Sequence, residues 1–179
     1  MESHPHTRVY NIFLPVFVIV FWPSLLWLFL IPLNYLLDRF VLRWSLGDMP
    51  DKGLFCRKHT WKVCLAGFFS DFIGAAIMLA VFLLSSGVSS DAGPDSILEN
   101  LSYGIGFNPF SSVPALIVVA LAIAVSGLCI YLVDRKILRK AGLNPEQVKK
   151  SAQRLALITA PYLYLFPSVL LYGGELTIV

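Results

Sequence analysis

Charge is what this sequence has least of. Only 14% of its 179 residues are Asp, Glu, Lys or Arg, and no lysine or arginine lies between Lys62 and Arg135. Soluble domains carry roughly 25% charged residues, so an ordinary water-facing shell is excluded. Cysteine is scarce as well: Cys56, Cys64 and Cys129 are an odd number without motif spacing, which excludes a disulfide framework and leaves free thiols. Cys56, His59 and Cys64 lack the regular spacing and fourth ligand of a zinc site, and His4 and His6 stand alone. There is no phosphate-binding glycine loop and no Gly-x-Ser-x-Gly nucleophile pattern. Catalysis, a cofactor, a metal and a nucleic-acid partner are therefore not expected.

What is abundant is apolar surface: 57% hydrophobic residues and a mean hydropathy of +0.73. Such a chain suits lipid as its solvent. A helix satisfies its own backbone there, and about 20 apolar residues span the hydrocarbon. Four stretches qualify, at about 12–37, 63–86, 113–133 and 155–172. The expectation is an all-α integral membrane protein, one domain over 1–179, with four transmembrane helices. Arg8 alone precedes the first stretch, which lacks a small-x-small cleavage site and reads as a retained helix.

The net charge of +3 conceals a sharp segregation. Of 14 Lys and Arg residues, 13 fall in two connecting segments, 38–62 and 134–154, while the segment 87–112 holds only Asp91, Asp95 and Glu99. Basic residues near helix ends stay in the cytoplasm. Both basic loops should thus be cytoplasmic and the termini opposite, in a multi-pass cell-membrane topology.

The two basic segments open alike. Tyr35, Asp38, Arg39, Leu42 and Arg43 recur in register as Tyr131, Asp134, Arg135, Leu138 and Arg139. Two tandem parallel hairpins related by an axis along the membrane normal would produce this pattern; so would the ordinary way in which a helix leaves a membrane, aromatic first and then charged. A twofold axis would allow Asp38 to pair with Arg135 and Arg39 with Asp134. Arg39, Arg43, Arg135 and Arg139 would otherwise meet anionic lipid at the headgroups. Between the third and fourth stretches, Gly142 suits a helix C-terminus, and Asn144-Pro145-Glu146 suits the start of the next helix.

Asp71 is the one ionisable residue deep within a stretch. It lies nine residues beyond Lys62, roughly 13 Å along a helix. An intramembrane carboxyl is costly and marks a functional site by default. Gly67, Asp71 and Ala75 share one face, and Ala66, Ser70 and Gly74 the adjacent one, so another helix can approach closely. Depth matching along the helices puts Ser126, Tyr162 and Tyr164 about 12 to 15 Å in, with Thr159 a little lower. These hydroxyls and Asp71 are expected to form one polar layer, in which the carboxyl is protonated, hydrogen-bonded or wet. Pro15, Pro23 and Pro32 interrupt the first stretch, and Pro161 and Pro167 the last. The glycine-aromatic run from Ser102 to Phe110 has the placement of a channel filter and the composition of an interfacial turn.

The functional expectation is a pore or carrier subunit in which Asp71 binds a cation or relays a proton. Oligomers would form through the Ala and Gly faces of the second and third stretches. The alternative is a non-transporting scaffold or accessory protein whose basic loops dock a partner membrane protein or anionic lipid.

Overall fold

The computed structural model describes Pro15, Phe17, Val18, Leu25 and residues 27–89 and 96–172. Most of the first half of the first stretch, with Pro23, lies outside the described residues, as do His4, His6, Arg8, Asp91 and Asp95. Among the described residues every regular element is helical: α1 (Trp27–Ser45), α2 (Lys52–Ser89), α3 (Ile97–Gly106), α4 (Val113–Lys140) and α5 (Pro145–Ile158). Short 3-10 turns at Pro109–Ser111, Tyr162–Leu165 and Ser168–Tyr172 complete it.

Two of these helices are long and apolar enough to cross a membrane. The qualifying spans are Lys52–Gly87 and Val113–Lys140, and in each only 28% of the most apolar window is covered by the rest of the chain. A core helix of a water-soluble protein would be mostly covered. Here Phe69, Leu84, Leu121 and Leu128 point outward, each more than half exposed, which suits a bilayer solvent.

The first basic segment is not the loop that charge alone suggests, and the second is the short helical hairpin that Gly142 and Asn144-Pro145-Glu146 indicate. α1 continues through Asp38 and Arg43 to Ser45, and α2 begins at Lys52, so only residues 46–51 turn. α4 likewise runs to Lys140 and α5 starts at Pro145. Lysine and arginine end an apolar run without ending a helix, because both are good helix formers. Gly47 (φ +58) makes the first turn, where the Lys52 ammonium donates to its carbonyl at 2.9 Å. In the second, Gly142 takes φ +91, and the Asn144 side chain accepts from the Gln147 amide at 2.8 Å above Pro145. Asn144→Ala should cost about 1 kcal/mol in thermal denaturation, and Asn144→Asp should not, because Asp caps equally well.

The fourth stretch, expected as one helix over 155–172, is broken. α5 ends at Ile158, and the chain continues through 3-10 turns that flank Pro161 and Pro167. Each proline lacks the amide an α-helix would need. The segment expected as an outer loop contains α3, capped by Ser96, whose hydroxyl accepts from the Glu99 amide. The Tyr103 carbonyl is occupied by the Phe107 amide at 2.8 Å. The Asn108 carbonyl accepts the Ser111 amide at 2.9 Å, so neither of these two carbonyls is free.

α2 packs against both α1 and α4, and α5 packs against the same two, so the four form a ring with α1 and α4 on its diagonal. α3 lies across α2 and α4 at the far end. Two apolar cores result. One, at the basic end, joins Val41, Leu42, Cys56, Val63, Leu138 and Leu155; the other joins Ala75, Met78, Val119, Ala122 and Tyr164. Some small residues of α2 and α4 are consumed inside the chain. A Cβ on Gly74 would collide with the Ser126 hydroxyl, and one on Gly104 with the Ala115 methyl. Gly74 and Ala115 are thus closed contacts within the chain, while Ala76 and Ala80 on α2 and Ala120 and Ala124 on α4 stay exposed.

Candidate functional site

The two apolar cores are separated by a polar belt to which all four ring helices contribute. α4 shows how the sequence builds it. Ala115, Val119, Ala122, Ser126, Ile130, Asp134 and Leu138 are all buried, and their spacing of three and four residues is that of one helix face. The apolar face is interrupted twice by polar residues, about 12 Å apart along the axis. On α2 the interruption runs from Cys64 to Ser70 and Asp71, about 10 Å. α1 supplies Asp38, immediately before Val41 and Leu42 of the core. Thr159 and Tyr164 come from the end of α5 and the turn after it.

The belt has two tiers. In the tier nearer the basic end, Asp38 is 2% exposed and Asp134 0%. Asp38 lies beside the Cys64 thiol and the Thr159 hydroxyl. The Thr159 hydroxyl donates to the Leu155 carbonyl at 2.9 Å. Asp38 Oδ2 and both oxygens of Asp134 are buried without a hydrogen-bond partner. In the upper tier, the Ser126 hydroxyl donates to the Ser70 carbonyl at 3.0 Å and the Tyr164 hydroxyl to the Asp71 carbonyl at 2.7 Å. Ser70 itself donates to the Ala66 carbonyl at 2.8 Å. Asp71 is partly exposed, and its Oδ1 is buried with no partner.

Asp38 is within electrostatic reach of both Asp134 and Asp71, and Cys64 feels Asp38 and Asp71 together. The three carboxyls are thus neighbours through Asp38, with the Cys64 thiol close to two of them. The crossed ion pairs do not form. Arg39 donates instead to the Tyr35 hydroxyl at 3.3 Å, Arg135 is exposed, and Asp134 has no partner. The reason is helical geometry: successive residues point about 100° apart, so a buried aspartate turns the arginine after it outward. Arg43 and Arg139, one turn further on, are exposed as well.

Ser126, Tyr164 and Asp71 therefore share a tier as depth matching suggests, though the hydroxyls reach backbone carbonyls rather than the carboxyl. Thr159 belongs to the lower tier beside Asp38. Tyr162 is outside the belt, half exposed, with its hydroxyl on the Leu157 carbonyl at 2.6 Å. Sequence reasoning missed Asp38, Asp134 and Cys64 as interior groups. The spacing of Ile130, Asp134 and Leu138, one turn apart, carried the signal.

Such a belt can hold, release and pass protons among carboxyl, thiol and hydroxyl groups. Among the described residues no three His, Cys, Asp or Glu side chains are placed to hold a metal ion. Compared with known families, curated proteins and solved structures, the chain matches none.

Proposed function

We propose that this chain is a proton-conducting pore or carrier subunit of a cell membrane, working through the acidic belt. The observation that carries the proposal is Asp134: fully buried, with both oxygens unpartnered, across the ring from a buried Asp38 whose Oδ2 is likewise unpartnered. A permanently ionised carboxylate in a dry interior without a countercharge is costly. Groups that exchange protons with their neighbours fit such a place, and relay along a line needs no convergence on one ligand. Asp71, the most accessible of the three, is the entry on the side away from the basic end.

In this reading α1, α2, α4 and the segment from α5 to Tyr172 are the four spans, with the basic helix ends in the cytoplasm. The hairpins α1–α2 and α4–α5 are parallel repeats, which makes Asp38 and Asp134 equivalent positions facing one another. One four-helix ring encloses little space, so a conduit formed by several copies would join through the exposed apolar faces of α2 and α4, which include Ala76, Ala80, Ala120 and Ala124. Exposure of Arg43, Arg135 and Arg139 supports a second reading, a non-transporting scaffold that docks a partner or anionic lipid on its basic face.

Proton flux into proteoliposomes under an imposed potential separates the two. The wild-type protein should conduct well above empty vesicles, and Asp71→Asn, which keeps shape and removes the exchangeable proton, should lower the flux about tenfold or more. Wild-type flux at the empty-vesicle level, or an unaltered flux in Asp71→Asn, rejects the transport reading and leaves the scaffold.

A further inference from the structure

The outer face of the ring carries a groove of about 730 Å³ between α4 and α5. Its walls differ sharply along its length. Lys150, Gln153 and Arg154 line the basic end, while Ala124, Gly127, Leu128 and Leu157 are among the residues lining the rest. No acidic residue lines it. Arg154 is held in place: its guanidinium lies 4.1 Å from the centre of the Trp44 ring on α1. Stacking of this kind fixes a guanidinium without consuming its hydrogen-bond donors. Lys150 is exposed one turn earlier.

We infer that this groove binds one anionic phospholipid, its phosphate on Lys150 and Arg154 and an acyl chain along Ala124 and Gly127. The pairing of charges with hydrocarbon selects the occupant. Two cations and an amide beside an apolar trough match a phosphate joined to an acyl chain, and the trough faces the same way as Leu121 and Leu128, the exposed side of α4. Inorganic phosphate would leave the trough uncovered. The small side chains of Gly127 and Ala124 make the space: a Cβ on Gly127 would already touch the Ala156 carbonyl at 3.6 Å. Tyr162, turned out of the polar belt, closes the far end. This lipid site involves none of the belt carboxyls and is separable from proton flux.

Native mass spectrometry of the detergent-purified chain tests it, with phosphatidylglycerol, phosphatidylcholine and inorganic phosphate as probes. Phosphatidylglycerol should bind at one site about tenfold or more tighter than phosphatidylcholine, as two basic side chains near a phosphate imply. Lys150→Gln with Arg154→Gln should remove that preference, and Ala124→Phe, which fills the trough from an exposed position, should weaken both lipids. Arg43→Gln with Arg139→Gln is the matched charge control and should leave the preference in place. If the double Gln variant is not monodisperse, Lys150→Gln alone serves, since that side chain is exposed. Equal binding of the two lipids overturns the site, as does a preference that survives the Gln changes. Competition by inorganic phosphate as strong as that by the lipid, with Ala124→Phe silent, overturns it too, because the trough would then play no part.

Discussion

Asp134→Val is expected to raise the thermal stability of the protein while eliminating proton flux. The side chain is completely buried and neither carboxyl oxygen has a partner. A buried polar group left unpaired costs about 1–3 kcal/mol, and replacing it by an apolar side chain of similar size removes that cost. Valine adds little volume, and it would sit on the face that already holds Ile130 and Leu138, so the overpacking cost stays small. The gain should appear as a higher denaturation midpoint in detergent. The loss should appear in the proteoliposome assay. Opposite signs in the two measurements would identify Asp134 as a group kept for its chemistry at the expense of stability. A carboxyl that served only as packing glue would give the reverse, a fall in stability with no separate loss of flux.

The other large effect is steric. Gly74→Leu should abolish recovery of monodisperse protein, and Gly74→Ala should destabilise it by about 1–3 kcal/mol. Even a single methyl at Gly74 would collide with the Ser126 hydroxyl and press on the Ala122 carbonyl at 3.1 Å and the Tyr164 ring at 3.3 Å. Two of those contacts belong to α4, so relief requires moving one long helix off the other. Gly67, seven residues earlier on α2, has nothing within 4 Å of a Cβ. Gly67→Ala should therefore be tolerated and gain up to about 1 kcal/mol from helix propensity. Size-exclusion profiles and denaturation midpoints of the paired variants check this. Ser126→Gly should partly rescue Gly74→Ala, since the clash is between those two side chains. Equal behaviour of Gly67→Ala and Gly74→Ala would refute the placement of α2 against α4.

These two glycines show what a sequence pattern can carry. Gly67 and Gly74 both stand in runs of small residues four apart, and nothing local distinguishes them. Only the position of α4 makes one indispensable and the other replaceable. The same holds for the carboxyls. Asp71 stands out because apolar residues surround it in sequence, whereas Asp38 and Asp134 each precede an arginine and read as part of a charged helix end. Burial depends on which side of the helix meets its neighbours, so the charged end was legible and its inward half was not.

Composition and periodicity alone determined the helical class, the two long apolar helices, the gathering of basic residues into two segments and the turn at Gly142 and Asn144. Each follows from short-range chemistry: backbone satisfaction, the cost of charge in hydrocarbon, and capping. Tertiary structure decided the rest. It extended α1 beyond its apolar run, because charge does not end a helix, and broke the last stretch where two prolines remove backbone donors. It sent Tyr162 outward and Tyr164 inward, and it placed a belt of three carboxyls, a thiol and several hydroxyls between two apolar cores. Which residues share an interior is a property of four helices packed together, and no one of them specifies it.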